Sequence, residues 1–244
     1  WFGGMTPTGR EAMTTPLTFS NFTLHNIQFV LFELSAAGPA LNNTIILGTA
    51  TATIGTVLAL VIAYVTARKA VKGWRVLGFL ATAPIAIPGI VLGVGLFLSY
   101  TRPPFVLYGT LWILLIAFVT ISLPSAYQQL QAAFRTIHPE LEDASRILGA
   151  TRLRSLWQIT APLLRTGVIA TWCFIFVGVM RELSAAIILF TSQTKVISVL
   201  IYDLNESGDL GAISVIGLAM LIITFAVVIA INRIPGFGTT RFRA

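Results

Sequence analysis

Few residues of this chain are equipped for chemistry, and most of those sit in unusual company. Within the apolar run 167–190 the only charges are the adjacent Arg181 and Glu182, whose burial in lipid is costly unless they face protein or water. A carboxylate in such a place suits brief coordination of a hard cation. In the competing reading Arg181 reaches out to lipid head groups and pairs locally with Glu182 or with a loop, anchoring a helix. A second irregular place is PIAIPGIVLGVG at 84–95, where Pro84 and Pro88 remove helix hydrogen bonds and Gly89, Gly93 and Gly95 allow close packing. The run is expected to kink, and irregular backbone at membrane depth is tolerated only where it is buried in protein or lines a wet cavity. A kink that merely suits helix packing is the alternative. Pro84, Pro88, Gly89, Arg181 and Glu182 are therefore the candidate lining of a path through a membrane.

What is missing narrows the chemistry further. No G-x-x-x-x-G-K-[ST] loop occurs, so the chain does not cradle ATP phosphates by that device, and hydrolysis would fall to a partner. His25 and His138, the only histidines, fall on opposite sides of the membrane in the topology below and cannot share a metal. Cys173 is the single cysteine and lies in an apolar run, which excludes an intrachain disulfide and suits a small core residue. No catalytic set, metal site or bound cofactor of the chain's own is expected.

The most structured polar stretch is 139–162. Pro139 suits a first helical position, Glu140, Glu142 and Asp143 load the first turn with charge that complements the helix dipole, and Gly149 is placed to end the helix. On a helix from about Pro139 to Leu148, Leu141, Ala144 and Leu148 form an apolar stripe, while Glu142 and Arg146 stand four apart on a polar face. A second helix is expected to start after Thr151 as its cap, to run through Leu153, Leu156, Trp157 and Ile159, and to stop at Pro162. The two helices make a knuckle at Gly149 and Ala150. The small residues Ala144, Gly149 and Ala150 would let another protein's backbone approach, and the exposed stripe asks for a partner to cover it.

The elements that hold these residues are membrane spans. With 56% apolar and 10% charged residues the chain is too apolar for a soluble domain, and its 244 residues leave room for five or six spans of roughly 20 residues each. Runs 44–67, 76–100, 105–127 and 211–232 carry no charge, and 167–190 carries only the Arg181–Glu182 pair. The fold expected is an all-α polytopic membrane protein with about five core transmembrane helices. Basic residues cluster in the first connection (Arg68, Lys69, Lys72, Arg75), in the third (Arg135, Arg146, Arg152, Arg154, Arg165) and in the tail 233–244, which puts these in the cytoplasm. The net charge of +7 thus reports topology; no basic, aromatic-interleaved surface for nucleic acid is present. Residues 1–43 read as an external leader, with 21–33 suited to a short interfacial helix. The connection 191–210 holds an apolar stretch, 196–204, expected to be helical.

DASRILGATRLRSLWQITAPLL at 143–164 resembles the cytoplasmic loop signature of binding-protein-dependent ABC importer permeases, E-A-A-x3-G-x9-I-x-L-P. Asp143, Ala144 and Ser145 stand at E-A-A, Gly149 at the glycine, and Ile159, Thr160, Ala161 and Pro162 at I-x-L-P. Asp143, Ser145 and Ala161 depart from the pattern, all by residues of similar size or charge. The resemblance extends further: 44–69 looks like the first core span of such permeases and 84–95 like their pathway-lining span. RELSAAIILF at 181–190 and the segment 196–215 most resemble permeases for ferric iron, with spermidine/putrescine, thiamine and aminoethylphosphonate permeases as related alternatives.

The resemblance implies an importer-permease helical bundle in the bacterial inner membrane, with a cytoplasmic coupling helix in the loop 128–165. Glu142, Asp143, Ala144, Ser145, Leu148, Gly149 and Ala150 would meet the ABC ATP-binding subunit, supported by Leu156, Trp157, Ile159 and Pro162. The partner subunit would bind ATP; further partners would be a second permease unit, identical or fused, and a periplasmic or lipoprotein substrate-binding protein. The missing Met and the leader suit the C-terminal half of a fused permease. The rival class is an ATP-independent secondary transporter or channel subunit, which the scarcity of charges within the spans disfavours.

Overall fold

The structure, a computed structural model, describes residues 25–233. Most of the expected leader and almost all of the tail lie outside the described residues. Among those described, every regular element is helical, as charge-free runs in lipid require, because each backbone N–H and C=O must be satisfied within its own segment.

Helix α1 (His25–Gln28) passes into a π turn, Phe29–Glu33, and α2 follows at Ala37–Ala67. The α2 helix begins well before the expected Thr44, since Pro39 sits in its first turn where no N–H is needed. Three of its threonines satisfy themselves: Thr44, Thr53 and Thr66 each donate a hydroxyl to the carbonyl four residues earlier, whereas the buried hydroxyls of Thr51 and Thr56 have no partner among the described residues. Next come α3 (Trp74–Thr82), α4 (Gly89–Tyr100), α5 (Leu111–Arg135), α6 (Glu140–Ile147), α7 (Arg152–Ser155) and α8 (Ala161–Met180). The last described are α9 (Ala186–Leu189), α10 (Ile197–Glu206) and α11 (Leu210–Arg233). Among the described residues four helical stretches are long and apolar enough to cross a membrane, or five if the bent pair α3 and α4 counts as one span. The all-α polytopic fold is thus borne out.

Three expectations about helix ends are corrected. The run 76–100 is not one helix: a 3-10 turn at Ala83–Ala86 and an extended Ile87 (φ −103°, ψ 118°) separate α3 from α4. Pro88 disfavours the helical conformation in the residue before it, and Ile87 is extended, so the expected kink is a full break. The run 167–190 is not one helix either, for α8 ends at Met180. Arg181 and Glu182 lie just past its end, about 30 Å from the start of α8 at 1.5 Å per residue, where charges need not be carried through lipid inside a helix. Finally, Pro162 does not stop the helix that Thr151 starts. A π turn at Leu156–Thr160 links α7 to α8, with the Ala161 N–H donated to the Leu156 carbonyl five residues back. The wider turn gives the proline ring room, and Pro162 sits in the first turn of α8, where its missing N–H costs little.

The chain forms two compact units. One comprises the chain up to Gly48, Gly89–Ala117 and Val179–Val227; the other comprises Thr49–Pro88, Phe118–Gly178 and the chain from Val228. The core of the first gathers Val30, Ala40, Ile197, Leu200, Leu204, Ala212 and Ile216, so the expected element at 196–204 is a helix with a buried face. Asn43 Nδ2 donates to the carbonyls of Gln193 (2.9 Å) and Lys195 (3.0 Å), and Thr44 Oγ1 accepts from Ile197 N–H (2.9 Å), tying α2 to this segment. In the second unit Trp172 stacks on Phe176 (centroids 5.4 Å apart) and donates its indole N–H to Thr53 Oγ1 at 3.1 Å.

Close approach at Gly167 fixes how α5 and α8 pack. A Cβ there would lie 2.9 Å from Ala133 Cβ, an atom tied to backbone, whereas Gly95 has nothing within 4 Å of the same position. Gly167→Val is therefore expected to destabilise the protein by roughly 1–3 kcal/mol through overpacking. Gly95→Ala should leave the thermal midpoint in detergent unchanged or slightly higher; equal midpoints for the two variants would contradict this packing.

Candidate functional site

The knuckle is built by local rules. Pro139 holds the position before α6 with φ −58° and ψ −31°, and the acids Glu140, Glu142 and Asp143 fill the first turn. At the other end the Ala150 N–H bonds the Ser145 carbonyl (3.1 Å) and the Gly149 N–H bonds that of Arg146 (3.0 Å), the paired bonds of a Schellman cap. That cap needs a left-handed residue, and Gly149 supplies it at φ +89°. Thr151, extended at ψ 159°, then accepts the Arg154 N–H on its hydroxyl and starts α7.

Between them the two helices present an apolar face to the outside. Ile147 is 85% exposed, Leu148 89% and Trp157 71%, with Leu141 and Leu153 exposed beside them. Asp143, Ala144 and Gly149 are exposed on the same knuckle, and Ser145 and Ala150 are half-buried. Of the residues expected to support the loop, Leu156 and Ile159 are half-buried, whereas Trp157 and Pro162 are exposed. Ile147 escaped the sequence reading because it lies off the Leu141–Ala144–Leu148 stripe. Ile147 is the last residue of α6 and, standing beside that stripe, widens the exposed face.

Glu142 behaves differently from its expected neighbours. It does not pair with Arg146, which sits 3.6 Å from Asp143 instead. The Glu142 side chain turns inward, 13% exposed against Arg68 at 12%. Its Oε1 accepts from Arg68 Nε (3.0 Å), Arg68 Nη2 (2.8 Å) and Thr160 Oγ1 (2.8 Å), and its carbonyl accepts from Ser155 Oγ (3.2 Å). Arg68 Nη1 also donates to the Ile137 carbonyl at 3.4 Å. One carboxylate thereby joins the end of α2, the α6 helix and the π turn into α8. Arg68 read as a topology marker in sequence, because nothing in a linear pattern points from it to a residue 74 positions away.

The candidate pathway residues divide between the units, Pro84 and Pro88 in one and Gly89, Arg181 and Glu182 in the other. Within the first-described unit, α4 packs on α9 at Gly93, where a Cβ would come within 3.3 Å of the Ala185 backbone. Glu182 Oε1 accepts the Ala185 N–H (3.4 Å), and its carbonyl accepts from Ser198 Oγ (2.7 Å). Arg181 is exposed and Glu182 half-buried, and no ion pair joins them. Among the described residues no group of His, Cys, Asp and Glu side chains is placed to hold a metal ion.

Residues 55–236 match the family described as the binding-protein-dependent transport system inner membrane component. The chain belongs to that family. It is thus a multi-pass inner-membrane component of such a system, as the loop resemblance implied. The chain is 30% identical over 200 residues to the ferric transport system permease protein FbpB of Actinobacillus pleuropneumoniae, a match covering 82% of this chain and 29% of that one. It therefore spans less than a third of the length of the ferric relatives it matches. It is also 35% identical over 173 residues to a Streptomyces antibioticus protein provisionally named an ABC transporter permease, covering 71% and 74% of the two chains. Among solved structures, a bacterial ABC transporter involved in import of the acidic polysaccharide alginate shares the fold. The TM-score is 0.70 at 16% identity, over 90% of this chain and 84% of that one.

If Glu142 locks the permease loop as its bonds indicate, Arg68→Ala and Glu142→Ala should each loosen it by roughly 1.5–3 kcal/mol, the range for hydrogen bonds to charged groups. Trypsin should then cut faster after Arg146, Arg152 and Arg154 in both variants, and the double variant should be little worse than either alone. Additive effects on cleavage rate would mean that the two residues act separately.

Proposed function

We propose that the chain is the membrane permease subunit of an ATP-driven importer, and that its 139–162 knuckle docks on a separate ABC ATPase. The observation that carries this reading is the exposed apolar face of Leu141, Ile147, Leu148, Leu153 and Trp157, set on a loop that is braced from beneath through Glu142. An unbraced loop would not need its cap, its ion pair and its π junction, and a bare apolar face of this kind asks for a protein partner. Asp143, Ala144, Ser145, Gly149 and Ala150 lie around that face and would meet the ATPase, which would bind and hydrolyse the ATP. Glu142 would act from behind as a brace.

In this reading the connection after α2 and the 139–162 loop face the cytoplasm, the segment before α2 faces outward, and a second permease unit completes the pathway. A substrate-binding protein would deliver cargo to the outer loops; a solved transporter of the same fold was crystallised with a substrate-bound periplasmic protein. Ferric iron is the proposed cargo, supported by the two ferric transport relatives and by Glu182, whose carboxylate suits passing contact with a hard cation. A relative provisionally named for 2-aminoethylphosphonate transport, 24% identical, defines the competing cargo.

The docking claim is tested by Leu148→Asp, which places a charge in the centre of the proposed contact. It should weaken recovery of the ATPase with the permease by about thirtyfold, the cost of an interface hot spot of roughly 2 kcal/mol, while membrane insertion is retained. Wild-type recovery would overturn the assignment. Cargo is tested separately by adding the binding protein loaded with ferric iron or with aminoethylphosphonate and following ATP hydrolysis. Stimulation by the ferric form alone is expected, together with reduced iron uptake in Glu182→Gln.

A further inference from the structure

Beside the braced loop lies a cleft of about 330 Å³ between the ends of α2 and α5. Lys69, Trp74, Gln131 and Arg135 line it, with Arg68 and Pro139 at the side nearest the loop. Its charge is not neutralised from within. Arg68 is engaged by Glu142, but Lys69 and Arg135 belong to no ion pair among the described residues. Glu140, the next acid along, lies 3.5 Å from His138. The C-termini of α2 and α5 direct only about half a negative charge each toward this end, less than the full charges of the two free cations. The Lys69 ammonium lies 5.7 Å from the centre of the Trp74 ring, which puts a cation and an aromatic face on one side of the opening.

The place of the cleft in the fold decides between kinds of anion. It lies at the ends of α2 and α5, both long and apolar enough to cross a membrane, so it opens where two spans meet the head groups. The exposed Val76, Phe79 and Leu80 of α3 are turned away from its Trp74 side, which at Gly78 packs toward Thr66 and Tyr127, and take no part. A small free anion gains nothing from that position, whereas a phospholipid whose phosphate sits between Lys69 and Arg135 keeps its acyl chains in the adjoining bilayer. Basic pockets at the ends of membrane helices are suited to anionic head groups, and Trp belongs at that depth. We propose that this cleft binds the phosphate of an anionic phospholipid, next to the brace that holds the 139–162 loop.

The full chain, purified in mild detergent, can be mixed with phosphatidylglycerol or phosphatidylcholine and the retained lipid counted by native mass spectrometry. Phosphatidylglycerol should be retained preferentially. Arg135→Gln and Lys69→Asn, the latter chosen because Lys69 has φ +49° and Asn tolerates that conformation, should each lower retention about fivefold. Lys72→Gln removes the same charge from a residue that does not line the cleft and should leave retention unchanged. Inorganic phosphate at millimolar concentration should displace little lipid. Equal retention of the two lipids, an equal loss in Lys72→Gln, or displacement by phosphate alone would overturn the proposal; the last would make the site one for a free anion.

Discussion

The carboxylate of Glu142 is the joint on which the 139–162 knuckle rests. It is nearly removed from water, so it needs partners for its charge. It finds a bifurcated guanidinium contact from Arg68 and a hydroxyl from Thr160. Those partners belong to separate stretches of chain, the end of α2 and the turn that leads into α8. Ser155 adds a bond to the backbone carbonyl of the same residue. A short helix such as α6, with its strongly polar first turn, has little stability of its own; its place is set by the cost of leaving this carboxylate unpaired.

The rest of the fold answers a different constraint, the absence of water around most of its backbone. The hydroxyls of Thr44, Thr53 and Thr66 in α2 return to their own helix carbonyls, and the Asn43 amide binds two carbonyls of a non-helical segment. Where the backbone does break, Pro88 favours the extended Ile87 before it, and the break after Met180 coincides with the charged pair Arg181 and Glu182. Glycines then let neighbouring helices approach, as Gly93 does against Ala185 and Gly167 against Ala133.

These two constraints differ in how far they can be read from sequence. Apolar runs, Gly149 as a helix stop and Thr151 as a cap are local signals, and each corresponds to a feature of the structure. Helix ends within apolar runs were misjudged because composition marks what lipid accepts, whereas ends are set by backbone detail such as the conformation forced on Ile87. Pro162 misled for a similar reason: a breaker in an α-helix is tolerated behind a π turn, and no residue type announces one. The Arg68–Glu142 bond is non-local, and a local rule, pairing at a spacing of four, pointed Glu142 toward Arg146. The exposed face is legible in part: periodicity finds Leu141 and Leu148 but not Ile147, which stands beside their stripe at the end of α6.

The junction at Leu156–Thr160 bears on how a push on the knuckle would travel. Had α7 and α8 been separate helices joined by a flexible loop, displacement of Leu153 or Trp157 would have been absorbed in that loop. Instead hydrogen bonding continues from Arg152 through the π turn into α8, and Thr160 within that turn is itself bonded to Glu142. Force applied at the exposed face therefore has two routes into the membrane helices, one along the chain into α8 and one through Glu142 to Arg68 at the end of α2. The π turn is the softer part of the first route, because its longer-range bonds are less regular than those of an α-helix. The ion pair is short and shielded from water, and so resists displacement more stiffly. Under the proposed docking, a stroke delivered to the loop would load both helices together through the Glu142 carboxylate, with the π turn taking up their difference in travel.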